Sequence, residues 1–259
     1  MTMIALFHPN KKRNTLMRKL IWFLPLFMIS MTGCDQLYEI ANEVYTQEPT
    51  SLQMSNGLKQ ALDNGIRFAV GTLSKDGGYF NDPLVKIPFP EEAKFAADAL
   101  QTIGLGGLVT DFEKRLNRGA EEGAKEALSI FGNAIKQMSF SDVKNILLGG
   151  ENAATDFFRR STEQALYDAF SPKIKTSLDQ VNATKVWSDI TSKYNSIPLT
   201  KKKVETDLVR YATNKAMDGL FLKVAEEEKK IRENPIARTT DLLKSVFGYA
   251  DKQKEGSNG

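Results

Sequence analysis

Residues 111–137 read DFEKRLNRGAEEGAKEALSIFGNAIKQ, and this stretch decides the fold. Phe112, Leu116, Ala120, Ala124, Ala127/Leu128, Phe131 and Ile135 recur every three or four positions, the spacing of one face of an α-helix. Gly119 and Gly123 sit beside that face. In an exposed helix each glycine costs about 1 kcal/mol relative to alanine. Their placement therefore predicts close approach of a neighbouring helix. Charged residues flank the pair, which argues against a membrane-helix dimer motif.

Outward from this helix the chain reads as further helices between clear breaks. Ser55 is expected to cap a helix running to Leu73, ended by Lys75-Asp76-Gly77-Gly78. Residues 79–90, YFNDPLVKIPFP, contain three prolines and forbid a helix. Val85, Ile87 and Phe89 alternate, so a short extended or irregular segment laid on the surface is expected there. A helix from Glu91 to Ile103 follows, ended by Gly104, Gly106 and Gly107. Ser141 caps a short helix that stops at Gly149-Gly150. A longer one spans Asn152 to Phe170 and closes at Ser171-Pro172, and residues 173–195 continue helically. Val204 to Glu233 is the second long helix, with Leu208, Ala212, Ala216, Leu220 and Val224 inward. Its Glu226, Lys229 and Lys230 read as a solvated, ion-paired face. Pro235 ends it, Thr239 or Thr240 caps a last helix that Gly248 closes, and 249–259 reads as a disordered tail. The class is all-α, one multi-helix domain over residues 52–248.

The N-terminus carries a different signal. Lys11, Lys12, Arg13, Arg18 and Lys19 precede an apolar run from Leu20 to Met31, broken only by Pro25 and Ser30. The run is too short for a relaxed membrane span, which needs about 20 residues, and suits a signal-peptide core. It ends in Met31-Thr32-Gly33-Cys34, which resembles a bacterial lipobox. Residues 1–33 are thus expected to be a lipoprotein signal peptide, with Met17 an alternative start. Cys34 is expected to bear the lipid, and 34–51 to form a tether in which Leu37, Ile40 and Val44 have helical spacing. The expected location is the cell envelope, anchored by Cys34 and facing the periplasm. Asp35 beside the cysteine favours the inner over the outer membrane.

Removal of that leader changes what chemistry is possible. The chain has 35 Lys/Arg, 32 Asp/Glu, one histidine and one cysteine. Five basic residues, no acidic ones and His8 lie in 1–33, leaving 30 basic against 32 acidic, a net charge of about −2. No nucleic-acid partner is expected of such a chain. Without histidine or a free thiol there is no Ser-His-Asp or Cys-His catalysis and no His/Cys zinc site. No cofactor, metal or catalytic residue is expected, and an enzymatic role is disfavoured.

Four stretches resemble an uncharacterised bacterial lipoprotein family, domain of unknown function 4197. They are Asp76-Gly77 through Val85-x-Ile87-Pro88-x-Pro90, Asn117-Arg118-x-Ala120-Glu121, Ala153-Ala154-Thr155-x-Phe157-Phe158-Arg159, and Asn234-Pro235-x-Ala237-Arg238-Thr239-Thr240-Asp241-Leu242-Leu243. The first holds one extra residue between Gly77 and Asn81. The resemblance implies a shared fold and export, and carries no activity.

Within these stretches Asn117, Arg118, Glu121, Arg159, Asn234 and Arg238 form the candidate polar cluster, structural or binding. Asn117 shares a helix face with Glu121, and Arg118 with Glu122. Arg159 or Arg238 is expected to pair with Glu121 or with loop carbonyls. Asp76, Asn81 and Asp82 read as a capped turn rather than a calcium loop, because their spacing does not fit one. Three function classes remain: a lipid-anchored binding or scaffold protein with an envelope protein or lipid partner, a carrier of an apolar or lipid ligand, and a carboxylate-dependent hydrolase. The first is preferred.

Overall fold

Helix α1, Ser51–Leu73, starts where Thr50 and Gln53 exchange side-chain-to-backbone bonds in a capping box, five residues earlier than a Ser55 cap would place it. The structure, a computed structural model, describes residues 48–180, 182–196, 203, 205 and 207–257. The expected signal peptide, Cys34 and the expected tether up to residue 47 lie outside the described residues. The chain continues through a 3-10 turn at Glu91–Ala93, α2 (Lys94–Thr102), α3 (Gly106–Gln137), α4 (Phe140–Leu147), α5 (Ala153–Asp179), α6 (Ala183–Asn195) and α7 (Leu208–Glu233). A second 3-10 turn at Pro235–Ala237 leads to α8 (Asp241–Ser257). No strand occurs among the described residues, and the domain is all-α. No described helix is long and apolar enough to cross a membrane.

The centre of the domain is α3 laid against α5. A Cβ on Gly119 would fall 2.7 Å from the Ile174 Cα, and one on Gly123 would fall 2.7 Å from the Phe170 ring and 3.1 Å from its Cα. The two glycines thus let backbone approach backbone, as their placement in the sequence predicts. Phe131 of α3 and Phe158 of α5 then meet edge to face at 5.1 Å, and Phe221 of α7 closes on Phe131 at 6.1 Å. All three rings are buried.

Several boundaries differ from the sequence reading. Helix α3 begins at Gly106, because Gly106 and Gly107 enter it rather than end its predecessor. Helix α5 runs through Pro172 to Asp179. Proline removes one intrahelical bond, yet Ile174, Ser177 and Leu178 beyond it are buried, and Ser177 donates to the Arg115 carbonyl at 2.8 Å. Packing on α3 holds the helix together past the break. Ser139, not Ser141, caps α4, again with a capping box, here to Asp142. The second long helix starts at Leu208 behind an Asp207 cap. Helix α8 continues through Gly248 to Ser257, so the expected disordered tail is helical over most of its length; Ala250 is buried and Asp251 binds Arg238.

Residues 79–90 are irregular, as expected, with turns up to Val85, but they do not lie on the surface: Tyr79, Val85 and Ile87 are buried. Tyr79 and Val85 lie against Gly219 of α7, where an added Cβ would come within 3.1 Å of both. The segment is threaded between α3 and α7.

Gly119→Ala should lower unfolding free energy by about 2 kcal/mol, since overpacking against the Ile174 backbone outweighs the gain in helix propensity. Urea denaturation of both proteins checks this; a variant as stable as wild type would mean α3 and α5 can separate at no cost.

Candidate functional site

The proline-containing segment forms no helix or sheet; its turns take up the Val85 and Lys86 amides on the Asp82 carbonyl, and another part of the chain must receive others. Helix α3 does so with side chains at i, i+4 and i+8. Phe89 N–H donates to Glu113 Oε1 at 3.0 Å. Ile87 N–H donates to Asn117 Oδ1 at 2.8 Å, while Asn117 Nδ2 donates to the Ile87 and Glu113 carbonyls, each at 2.8 Å. Tyr79 N–H donates to Glu121 Oε1 at 3.2 Å. Asn117 is fully buried, and its amide copies the paired bonds that a neighbouring strand would make. The Tyr79 hydroxyl continues inward to the Ala216 carbonyl of α7 at 2.8 Å. Burial, and then the nearby Glu121, push the Tyr79 phenol far above its ordinary value.

Arg118 closes the solvent side of this arrangement. Its Nη1 lies 3.3 Å from both Asp76 Oδ1 and Glu121 Oε2, and its Nη2 lies 2.8 Å from Glu122 Oε1. An open groove of about 560 Å³ runs here between the 76–81 loop and α3. Asp76, Phe80, Asn81, Asp111, Lys114 and Arg118 line it. Gly77 shapes the loop: it has φ +76°, and an added Cβ would meet Asn81 Nδ2 at 2.2 Å. Asp82 turns away from Asp76. It takes Leu84 N–H at 3.0 Å and the Lys223 ammonium at 2.8 Å, and the Lys223 bond holds its carboxyl below the usual range. Among the described residues no three His, Cys, Asp or Glu side chains gather as metal ligands.

A second polar knot lies at the other end of α7. Glu228 accepts the Ala154 and Thr155 amides at 2.9 and 2.8 Å and the Thr155 hydroxyl at 2.8 Å, capping the start of α5. Arg232, one turn on, binds Glu228 at 2.7 Å and donates to the Ile146 carbonyl at 2.8 Å, covering the end of α4. Arg238 does the same for α7 itself. It donates to the Ile231 and Arg232 carbonyls at 3.1 and 2.7 Å and to Asp251 of α8 at 2.6 Å. Asn234 caps the 3-10 turn by accepting Ile236 N–H at 3.0 Å. The run around Glu226 is thus not uniformly a solvated face: Glu228 and Arg232 point inward, while Glu226 pairs with Lys223, Lys230 with Glu227, and Lys229 with Glu233.

Of the six candidate residues, the structure joins Asn117, Arg118 and Glu121 at one place and Asn234 and Arg238 at another. Arg159 stands apart, stacked 4.4 Å over Phe221 and 3.3 Å from Asp218. The cation on Glu121 is Arg118, neither Arg159 nor Arg238. Sequence reasoning missed Glu113, Glu228 and Arg232. The inward positions Leu220 and Val224 continue at the same spacing to Glu228, which was the available signal.

The family profile described as a protein of unknown function, DUF4197, matches residues 48–248. The chain belongs to the DUF4197 family. The match covers α1 through Gly248, and so takes in both polar knots of this DUF4197 domain. No curated protein and no solved structure matches the chain.

Two outcomes test these bonds. Glu228→Ala should cost about 3 to 5 kcal/mol, because it leaves Arg232 and the α5 amides buried without their partner; chemical denaturation reads it, and a loss under 1 kcal/mol would make the knot incidental. Tyr79 sets an alkaline limit. Below about pH 10 both folded and unfolded states keep the phenolic proton; above it only the unfolded state releases it, so stability falls as pH rises. Tyr79→Phe should flatten that decline, measured as unfolding free energy against pH.

Proposed function

We propose that this DUF4197 protein is a lipid-anchored binding or scaffold protein of the cell envelope, held by Cys34 and facing the periplasm. The observation that supports it most is what the buried polar groups are used for. Asn117, Glu121, Glu228 and Arg238 are buried, and each is bonded to backbone of another segment or helix end. Groups bonded in this way hold a shape. Glu121 is bridged to Asp76 and Glu122 through Arg118, which counts against a carboxylate pair acting across a cleft.

A carrier of an apolar ligand fits less well. The apolar cavity between Leu58, Leu62, Ile66, Phe158, Val224 and Phe247 has about 30 Å³ of free space. Small-ligand pockets run to roughly 300–1,000 Å³. Binding through an outer surface, with a tether fixing the domain at a membrane, needs neither a cavity nor a catalytic group.

Wild-type protein should take up labelled palmitate in a bacterial host, and Cys34→Ala should not. Unlabelled wild type, or labelled Cys34→Ala, would remove the anchor from the reading. Arg159→Ala separates binding from structure. Its ion pair with Asp218 is solvent-exposed and adds little, while the lost stacking over Phe221 should cost about 1 kcal/mol, a small drop in melting. Complete loss of an envelope phenotype with the protein still folded would assign Arg159 to a partner surface.

A further inference from the structure

One end of the domain is apolar. The chain carries no charge from Ala99 to Thr110. Within that stretch Ile103, Leu105 and Leu108 are 68 %, 46 % and 57 % exposed. They surround the turn between α2 and α3, where Gly104 takes φ +82°. Helix α2 rests chiefly on α3 and its own 3-10 turn, so the tip stands clear of the main core. No side chain caps the first turn of α3, leaving amides there for outside acceptors. Large aliphatic side chains grouped on one tip mark a surface that meets something other than water.

The position of the tip says what it meets. Lys59 of α1 donates to the Met138 carbonyl at the far end of α3, while Asp76, just past α1, meets Arg118 further back. Helix α1 therefore runs antiparallel to α3, and Thr50 enters beside the C-terminal end of α3. The tip lies at its N-terminal end, about 48 Å away for 32 residues. The chain from Cys34 to Thr50 spans roughly 55 Å when extended. A tether as long as the domain lets the domain lie along the membrane that holds its lipid, with the tip in contact. Lys114 lies about 9 Å behind Leu108 along the helix, with the exposed Asp111 between them, so at the tip headgroup phosphates accept chiefly from the free amides of α3.

We propose that Ile103, Leu105 and Leu108 insert into the phospholipid surface to which the chain is anchored, fixing the domain at a second point. The proposal rests on the lipoprotein reading above. Cys34 is the chain's one cysteine and is consumed as a thioether, so Leu105→Cys offers a single thiol for a nitrobenzoxadiazole dye. The labelled, lipidated chain would be reconstituted in vesicles of phosphatidylethanolamine and phosphatidylglycerol. The dye should shift to the blue, and nitroxide-bearing lipids should quench it severalfold. Ile103→Glu with Leu108→Glu should abolish the quenching while helix content and melting stay unchanged. A chain that floats with the vesicles but keeps an unquenched dye overturns insertion and leaves the anchor standing. A chain that does not float removes the anchor, and the Cys34→Ala form titrated with the same vesicles then decides the tip alone: a blue shift supports insertion, and an unresponsive dye overturns it. A shift that follows protein concentration without vesicles assigns the tip to a second copy of the chain and also overturns it.

Discussion

A peptide segment with three prolines cannot close all of its amides in a helix or sheet, and Asn117 takes on the buried one of Ile87. Its side chain holds the N–H and the C=O of Ile87 together, as a neighbouring strand would. Glu113 and Glu121 extend that grip one turn to each side. Because the segment is fixed along α3, Tyr79 and Val85 reach α7 at Gly219, and the Tyr79 hydroxyl finds the Ala216 carbonyl. The long helices are therefore joined through a strip of backbone as well as through their apolar faces. A buried amide left without its partner costs about 1 to 3 kcal/mol, a large fraction of a domain's net stability.

The four sequence stretches shared with the DUF4197 pattern fall at two places in space. Asp76 to Pro90 and Asn117 to Glu121 make the first knot, around the strip. Ala154 and Thr155 meet Glu228 in the second, and Arg238 closes the end of α7 beside it. Four of the six candidate polar residues, Asn117, Glu121, Asn234 and Arg238, satisfy backbone groups, which is why they sit beside apolar faces without forming a catalytic constellation. Arg118 differs in having half its surface in solvent, and Arg159 in lying on an exposed pair.

The helices were legible where spacing carried them. The apolar face of α3 and the close approach at Gly119 and Gly123 follow from periodicity and the cost of glycine in a helix. Pro172 was misread because its penalty is local, whereas the packing that outweighs it comes from residues more than fifty positions away. Gly248 misled in the same way: α8 is held past it by Arg238 on Asp251. At the candidate site, the shared face of Asn117 and Glu121 can be read, but not what they bind, since nothing local in an irregular proline-containing segment tells that it lies buried against α3. Glu228 and Arg232 were hidden in a run of charges, where composition argues for solvent and only the phase of the helix argues for the core.

Glu228 and Arg232 lie one turn apart on α7, yet between them they finish the end of α4 and the start of α5, some 73 to 86 residues earlier in the chain. The corner between those two helices thus waits for a late part of the polypeptide. A chain emerging N-terminus first presents the Ile146 carbonyl and the Ala154 amide before anything exists to receive them. Contacts of such wide separation slow folding, because the intervening loop must close before the bond rewards it. Closure of that corner is accordingly a late step: α3 and α5 can pair as soon as both are made, but the turn between α4 and α5 stays unfinished until α7 supplies Glu228 and Arg232.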